Sequence, residues 1–276
     1  MSIPTHSPLG TDGRTSAATG KTDLQRIIQH GVDAIDSAAQ LPEPFFHLEL
    51  SNVFPADVYD RMLEAMPVKG DYRVMSGRTK STRTNDGDGT RTKIDLFPEY
   101  IRHLPAGKRE VWATVGQALC SPEVREAFRR RLAPGLERRF GPGYAKVGMY
   151  PIPILTRDVP GYRIGIHPDT HWKGMTIQLY LPPDHSIANV GTVFHRRAGE
   201  KYERAGQMSF SPNTGYAFAV DKDTYHSVDK VGPDVRRRDS ILLTYFVDSS
   251  PLHILRNRGR RIGNAILNEF RGLVRR

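Results

Sequence analysis

Between residues 144 and 250 the chain offers only short apolar runs, separated by turn residues before a helix of useful length can grow. The runs are Ala145–Leu155, Tyr162–Ile166, Met175–Leu181, Gly191–Phe194, Gln207–Ser211, Tyr216–Val220 and Ser240–Val247. They are rich in the β-branched and aromatic residues that fit a pleated, half-buried surface. Many such strands in succession point to a sandwich or barrel.

The preceding half reads differently, so the expected class is α+β. Leu24, Ile27, Ile28, Val32 and Ile35 recur at helical spacing over 23–39, with Thr22 available as N-cap. A strand is expected near 45–51 and a helix from Pro55 to about Met66. Two more helices are expected over 107–119 and 122–140, the second carrying Val124, Phe128, Leu132 and Leu136 four residues apart. The polar stretch near 68–92 has no periodic apolar face and reads as a mobile loop. Residues 1–21, rich in Ser, Thr, Gly and Pro, read as a disordered leader without the features of a secretory signal. The expected organisation is therefore leader 1–21, helical region 22–143, β core 144–250 and a basic amphipathic helix over 251–276.

The formal net charge is +10, but seven arginines against the single Glu269 place +6 of it after residue 250. No aromatic and basic interleaving marks a base-stacking surface, so nucleic acid is not expected as a partner. The tail helix is a candidate for contact with a membrane surface or a partner protein. Cys120 is the only cysteine, which rules out an internal disulfide and fits a reducing, cytoplasmic setting. With no long apolar run, a spanning helix is not expected.

Three stretches carry the chemistry: His167-Pro168-Asp169, then His226, then Arg238-Asp239-Ser240 opening an apolar strand. Residues two apart on a strand share a face, so His167 and Asp169 can meet on one ion. Two imidazoles and one carboxylate bind Fe(II) on one triangular face and leave the opposite positions for substrate and oxygen. Arg238 presents a permanently charged fork suited to a carboxylate, and Ser240 lies on the same side with a hydroxyl. His171 and His195 compete for the metal, but His226 is preferred because the Arg-x-Ser strand follows it closely.

The order His-x-Asp, distal histidine and Arg-x-Ser resembles the 2-oxoglutarate- and Fe(II)-dependent oxygenases, in particular their prolyl-hydroxylase-like branch. The resemblance runs from about Lys146 to Asp248 and extends loosely to 44–67. It implies a double-stranded β-helix core with N-terminal helices packed on it. It makes His167, Asp169 and His226 ligands of Fe(II), and Arg238 the partner of the distal carboxylate of 2-oxoglutarate. Tyr180, in Thr176-Ile-Gln-Leu-Tyr180-Leu, and Tyr150, in Met149-Tyr150-Pro151, match family positions that face this cosubstrate. Asp169 is a carboxylate where halogenating relatives carry a small residue, which favours hydroxylation. The implied enzyme consumes 2-oxoglutarate and O2 and hydroxylates an unactivated C–H bond of a small molecule, an amino acid or natural-product intermediate, with succinate and CO2 as coproducts. A protein or peptide side-chain hydroxylase of the same chemistry, and a non-catalytic metal- or ligand-binding barrel, remain open at this point.

Overall fold

Alternation decides how the strand-rich half folds, because the central strands carry one apolar face for the helices and one mixed face for a second sheet. The computed structural model describes residues 15–75 and 89–248, with side chains from residue 23. The leader before residue 15, the centre of the polar loop and the basic tail lie outside the described residues.

Helix α1 (Thr15–Asp36) leads into β1 (Ala39–Leu41), β2 (His47–Ser51) and α2 (Ala56–Glu64). A short ladder of β3 (Arg73–Val74) and β4 (Arg91–Asp95) follows, then α3 (Ala106–Leu119), α4 (Pro122–Arg131) and α5 (Ala133–Phe140). The remaining strands are β5 (Met149–Asp158), β6 (Ile164–His167), β7 (Lys173–Tyr180), β8 (Val193–Ala198), β9 (Lys201–Gln207), β10 (Thr214–Ala219), β11 (His226–Val228) and β12 (Arg238–Val247). These strands pair antiparallel with one another throughout the described residues. Eight strands form one sheet in the order β1-β2-β10-β7-β12-β5-β4-β3, and four form another in the order β6-β11-β8-β9. The chain from β5 to β12 thus passes back and forth between the two sheets.

Strand β12 is central, pairing with β5 along its whole length and with β7 on the other side. Its Ile241, Leu243 and Tyr245 are fully buried with Leu155, Ile177 and Leu179 in the core that also holds Trp112, Phe128, Leu132 and Leu136 of the helical layer. Each such side chain contributes roughly 1.5–3 kcal/mol through burial. The opposite face carries Arg238, Ser240, Leu242 and Thr244. Between the sheets lies a second, aromatic cluster that includes Phe45, Tyr180, Phe194, Phe210, Tyr216 and Phe218. A Cβ on Gly191 would lie 1.7 Å from the Met208 carbonyl oxygen, so only glycine permits this close backbone approach beside the aromatic cluster.

Several boundaries differ from expectation, each for a physical reason. Helix α1 begins at Thr15 rather than near Thr22, so 15–21 is helical and not leader; Ala17 and Ala18 favour the helix, and Gly20 costs it only about 1 kcal/mol. The expected 122–140 helix breaks at Leu132 (φ −94°, ψ 12°), because Pro134 lacks an N–H to continue the ladder. Within the expected loop 68–92, Arg73–Val74 and Arg91 onward are strand. Strand β4 escapes an alternation test because one face carries the polar Arg91, Lys93 and Asp95, the first two opposite Asp158 and Thr156 of β5. The strand expected over 207–211 is instead β9 (201–207). It is an edge strand exposed on both faces, charged in the way edges resist further pairing, and so has no apolar period to read. Gly199 (φ 64°) makes the turn into it. Among the described residues, no helix is long and apolar enough to cross a membrane.

Candidate active site

His167 ends β6 and His226 opens β11, and the two are direct cross-strand partners. Their ring centroids are 4.5 Å apart. Asp169 follows two residues after His167, and one ligand atom from each of the three lies within 4.8 Å of the others. Positions distant in sequence therefore converge on a single point, with His171 and His195 outside the cluster. His195 is instead buried against Ser227, its Nε2 2.8 Å from the hydroxyl, and the exposed His171 packs edge-on to Trp172.

The hydrogen bonds of the two imidazoles determine which nitrogen faces the cluster. His167 Nδ1 donates to the Gly165 carbonyl at 2.8 Å, and His226 Nδ1 donates to the Thr224 carbonyl at 3.0 Å. A carbonyl only accepts, so Nδ1 carries the proton in both rings and Nε2 keeps its lone pair for a metal. Asp169 is held at both oxygens: Lys173 Nζ donates to Oδ1 and Thr176 Oγ1 to Oδ2, each at 2.6 Å.

Electrostatics keeps Asp169 and His226 in their ligating forms. Burial raises the Asp169 carboxyl, but the Lys173 charge, the nearby His226 and the Lys173 and Thr176 hydrogen bonds outweigh that and hold it at about 2. Burial, reinforced by His167 and opposed by Asp169, pushes His226 down to about 4. At neutral pH Asp169 is thus a carboxylate and His226 a neutral imidazole, the forms in which such groups bind a borderline divalent ion such as Fe(II).

The same shifts make stability depend on pH. Between pH 6.5 and about 4 the unfolded chain binds a proton at His226 that the folded chain refuses, so stability falls on acidification across that window, by at most about 3 kcal/mol. Asp169, depressed from 3.8 to about 2, loses its contribution in the same direction at lower pH. Urea denaturation of metal-free protein at pH 7, 5.5 and 4.5 should show this fall, and His226→Gln should flatten it. An equally steep fall in the variant would assign the effect elsewhere.

The second half of the site lies further along the same sheet face. Thr176, Gln178 and Tyr180 share the inner face of β7, and Tyr180 is directly opposite Ser240. Four residues of strand separate the metal end from the arginine end, about 13 Å. Arg238 is fully buried. Its Nε donates to the Val190 carbonyl at 2.8 Å and its Nη1 to Asp158 Oδ2 at 2.7 Å, while its guanidinium lies 4.8 Å from the Phe210 ring centre. Asp158 is in turn gripped by Arg91, whose Nε and Nη2 donate to its two oxygens at 2.5 and 2.8 Å. Nη2 of Arg238 is buried with no hydrogen-bond partner among the described residues. An orphaned buried donor is costly, and an anionic oxygen at Nη2 would satisfy it.

The other residues expected around the cosubstrate fare differently. Ser240 shares the face of Arg238, but its hydroxyl is committed. It accepts from Gln178 Nε2 at 2.7 Å and lies 2.9 Å from Thr156 Oγ1, which also donates to the Ser240 carbonyl. The fully buried Tyr180 is beside Arg238, its ring centre 5.7 Å from the guanidinium, with its hydroxyl engaged by Thr192. Tyr150 is not brought to Arg238. It is half-buried, stacked on Phe246 at 5.7 Å, and eight residues along β5 from Asp158, about 26 Å. The residue of β5 that meets Arg238 is Asp158, at the opposite end of the strand from Tyr150. Asp158, Arg91, Lys173 and Thr176 join the site without a signal in the sequence. Single charged or hydroxyl residues on a strand carry no pattern, and Arg91 falls in a stretch that reads as loop.

No protein-family model matches the chain, and no curated protein matches it in sequence. Solved structures similar to it include a Pseudomonas putida prolyl-4-hydroxylase, 16% identical, covering 80% of this chain and 100% of that one with a TM-score of 0.46. A Trichoplax adhaerens prolyl hydroxylase in complex with a hypoxia inducible factor peptide fragment is 11% identical, with 86% and 94% coverage and a TM-score of 0.48. A Burkholderia pseudomallei oxidoreductase of the 2OG-Fe(II) oxygenase family is 14% identical, with 79% and 90% coverage and a TM-score of 0.43. The geometry of the site, rather than these likenesses, carries the functional reading.

Proposed function

We propose that the chain is a non-haem Fe(II)- and 2-oxoglutarate-dependent dioxygenase that hydroxylates an unactivated C–H bond of a small molecule, on a double-stranded β-helix formed by β5 to β12. The observation that carries this reading is the convergence of His167, Asp169 and His226 with both Nε2 lone pairs directed away from their backbone partners. In this reading those three residues hold the iron. Arg238 binds the distal carboxylate through Nη2, with Asp158 and Arg91 fixing its plane. Tyr180 and Phe210 wall that end and exclude water, which strengthens the ion pair formed there. Ser240 and Tyr150, expected from the sequence to contact the cosubstrate, are assigned no direct role. Bound iron with the cosubstrate and O2 supplies the oxidising power, 2-oxoglutarate leaving as succinate and CO2 while the substrate C–H becomes C–OH. The chain's residues bind and orient, holding the reacting groups together.

The test has two stages. Anaerobic addition of Fe(II) and 2-oxoglutarate should give the weak visible metal-to-ligand charge-transfer band. A succinate-release screen over amino acids, peptides and natural-product intermediates then identifies the substrate class. Failure of both Fe(II) and 2-oxoglutarate to bind would reduce the chain to a β-rich protein of another purpose.

A further inference from the structure

Lys173 has no place in the ligand set, yet it closes directly on one of the ligands. The chain turns tightly after Asp169, with Lys173 N–H donating to the Thr170 carbonyl at 3.0 Å, and this returns residue 173 to its start. The Lys173 ammonium reaches Asp169 Oδ1 at 2.6 Å, with the lysine side chain 19% exposed and the aspartate 8%. The opposite oxygen is held by Thr176. Orientation of the carboxylate is thus supplied twice, once by a neutral donor and once by a cation. The cation has an effect that the hydroxyl does not.

Resting on the metal-centre reading above, we propose that Lys173 is a charge-balancing positioning residue that lowers the site's affinity for the divalent metal and raises the metal-loaded site's affinity for an anionic cosubstrate. Asp169 and Lys173 cancel, so a dication gives the cluster two net positive charges rather than one. A dianion such as 2-oxoglutarate matches that charge. Repulsion between an ammonium and a dication sharing one partly buried carboxylate exceeds roughly a hundredfold in affinity at an effective dielectric of about 20. Loss of an orienting contact weakens metal binding by roughly 10–100-fold, and here Thr176 still orients the group. Charge therefore outweighs orientation when Lys173 is neutralised.

The opposite signs on metal and cosubstrate make the test decisive. Calorimetric titration with Co(II) alone should show Lys173→Gln and Lys173→Met binding at least about tenfold tighter than the native chain, and Lys173→Arg within about threefold of it. Titration of 2-oxoglutarate into the Co(II)-saturated proteins should show the two neutral variants binding about tenfold more weakly. A merely structural lysine would weaken both when removed, and that result, or Co(II) affinity unchanged in both neutral variants, overturns the proposal. If the native chain takes up no Co(II), the metal centre itself falls and the role of Lys173 falls with it. Where the native chain takes up Co(II) and His226→Ala abolishes that uptake, the centre stands and the lysine variants alone decide whether the proposed role does.

Discussion

His226→Ala is expected to lose divalent-metal binding by at least about a thousandfold, more than the roughly 10–100-fold attached to an outer partner of a metal ligand. In the proposed centre the side chain would supply one of three ligand atoms, and a two-ligand remnant of His167 and Asp169 has no third donor among the clustered described residues. The fold should survive. His226 sits on a three-residue strand in the smaller sheet, and the ring being removed is one that burial holds neutral. Anaerobic calorimetry with Fe(II), alongside circular dichroism to check the fold, gives the answer. Native affinity in a folded His226→Ala protein would place any metal elsewhere.

Arg238→Met should leave metal binding within about threefold of native and weaken 2-oxoglutarate binding by roughly 10–100-fold, the loss of one charge-assisted hydrogen bond of about 1.5–3 kcal/mol. Breaking a buried ion pair ordinarily costs about 3–5 kcal/mol because a charge is left alone. That penalty is reduced here, since Asp158 keeps both of its contacts from Arg91. A second ligand isolates the contact. 2-Oxopentanoate has the same chain length but a methyl group where the distal carboxylate stands, so its affinity should be nearly equal in the native and Arg238→Met proteins. If the variant binds 2-oxoglutarate as tightly as the native chain, or loses both ligands alike, Arg238 is not the anchor.

Part of the proposed site is legible in the sequence through the expectation of strand alternation, although Asp169 lies two residues past the end of β6. A period of two places His167 and Asp169 on one side, and the apolar run beginning at Ser240 fixes Arg238 as the head of a strand. Tyr180 lies beside Arg238 while Tyr150 stands at the far end of β5, because alternation states which face a residue occupies but not how far along a ten-residue strand its neighbours lie. It also gives the face of Ser240 without showing that Gln178 and Thr156 engage its hydroxyl. Strand β9 and the Arg91–Asp158 pair are invisible to it, the first because it is wet on both sides and the second because 67 residues separate its members.

By itself, then, the sequence determined the element types, the two-faced character of the central strands, and the residue kinds available for a ferrous site. These follow from local periodicity and from the intrinsic chemistry of imidazole, carboxylate and guanidinium. Only the tertiary structure decided that His226 stands across from His167, that Lys173 turns back onto Asp169, and that Arg238 shares Asp158 with Arg91 while one donor stays open. Those are outcomes of strand register and sheet packing, which depend on the whole chain's burial rather than on any segment's own preference.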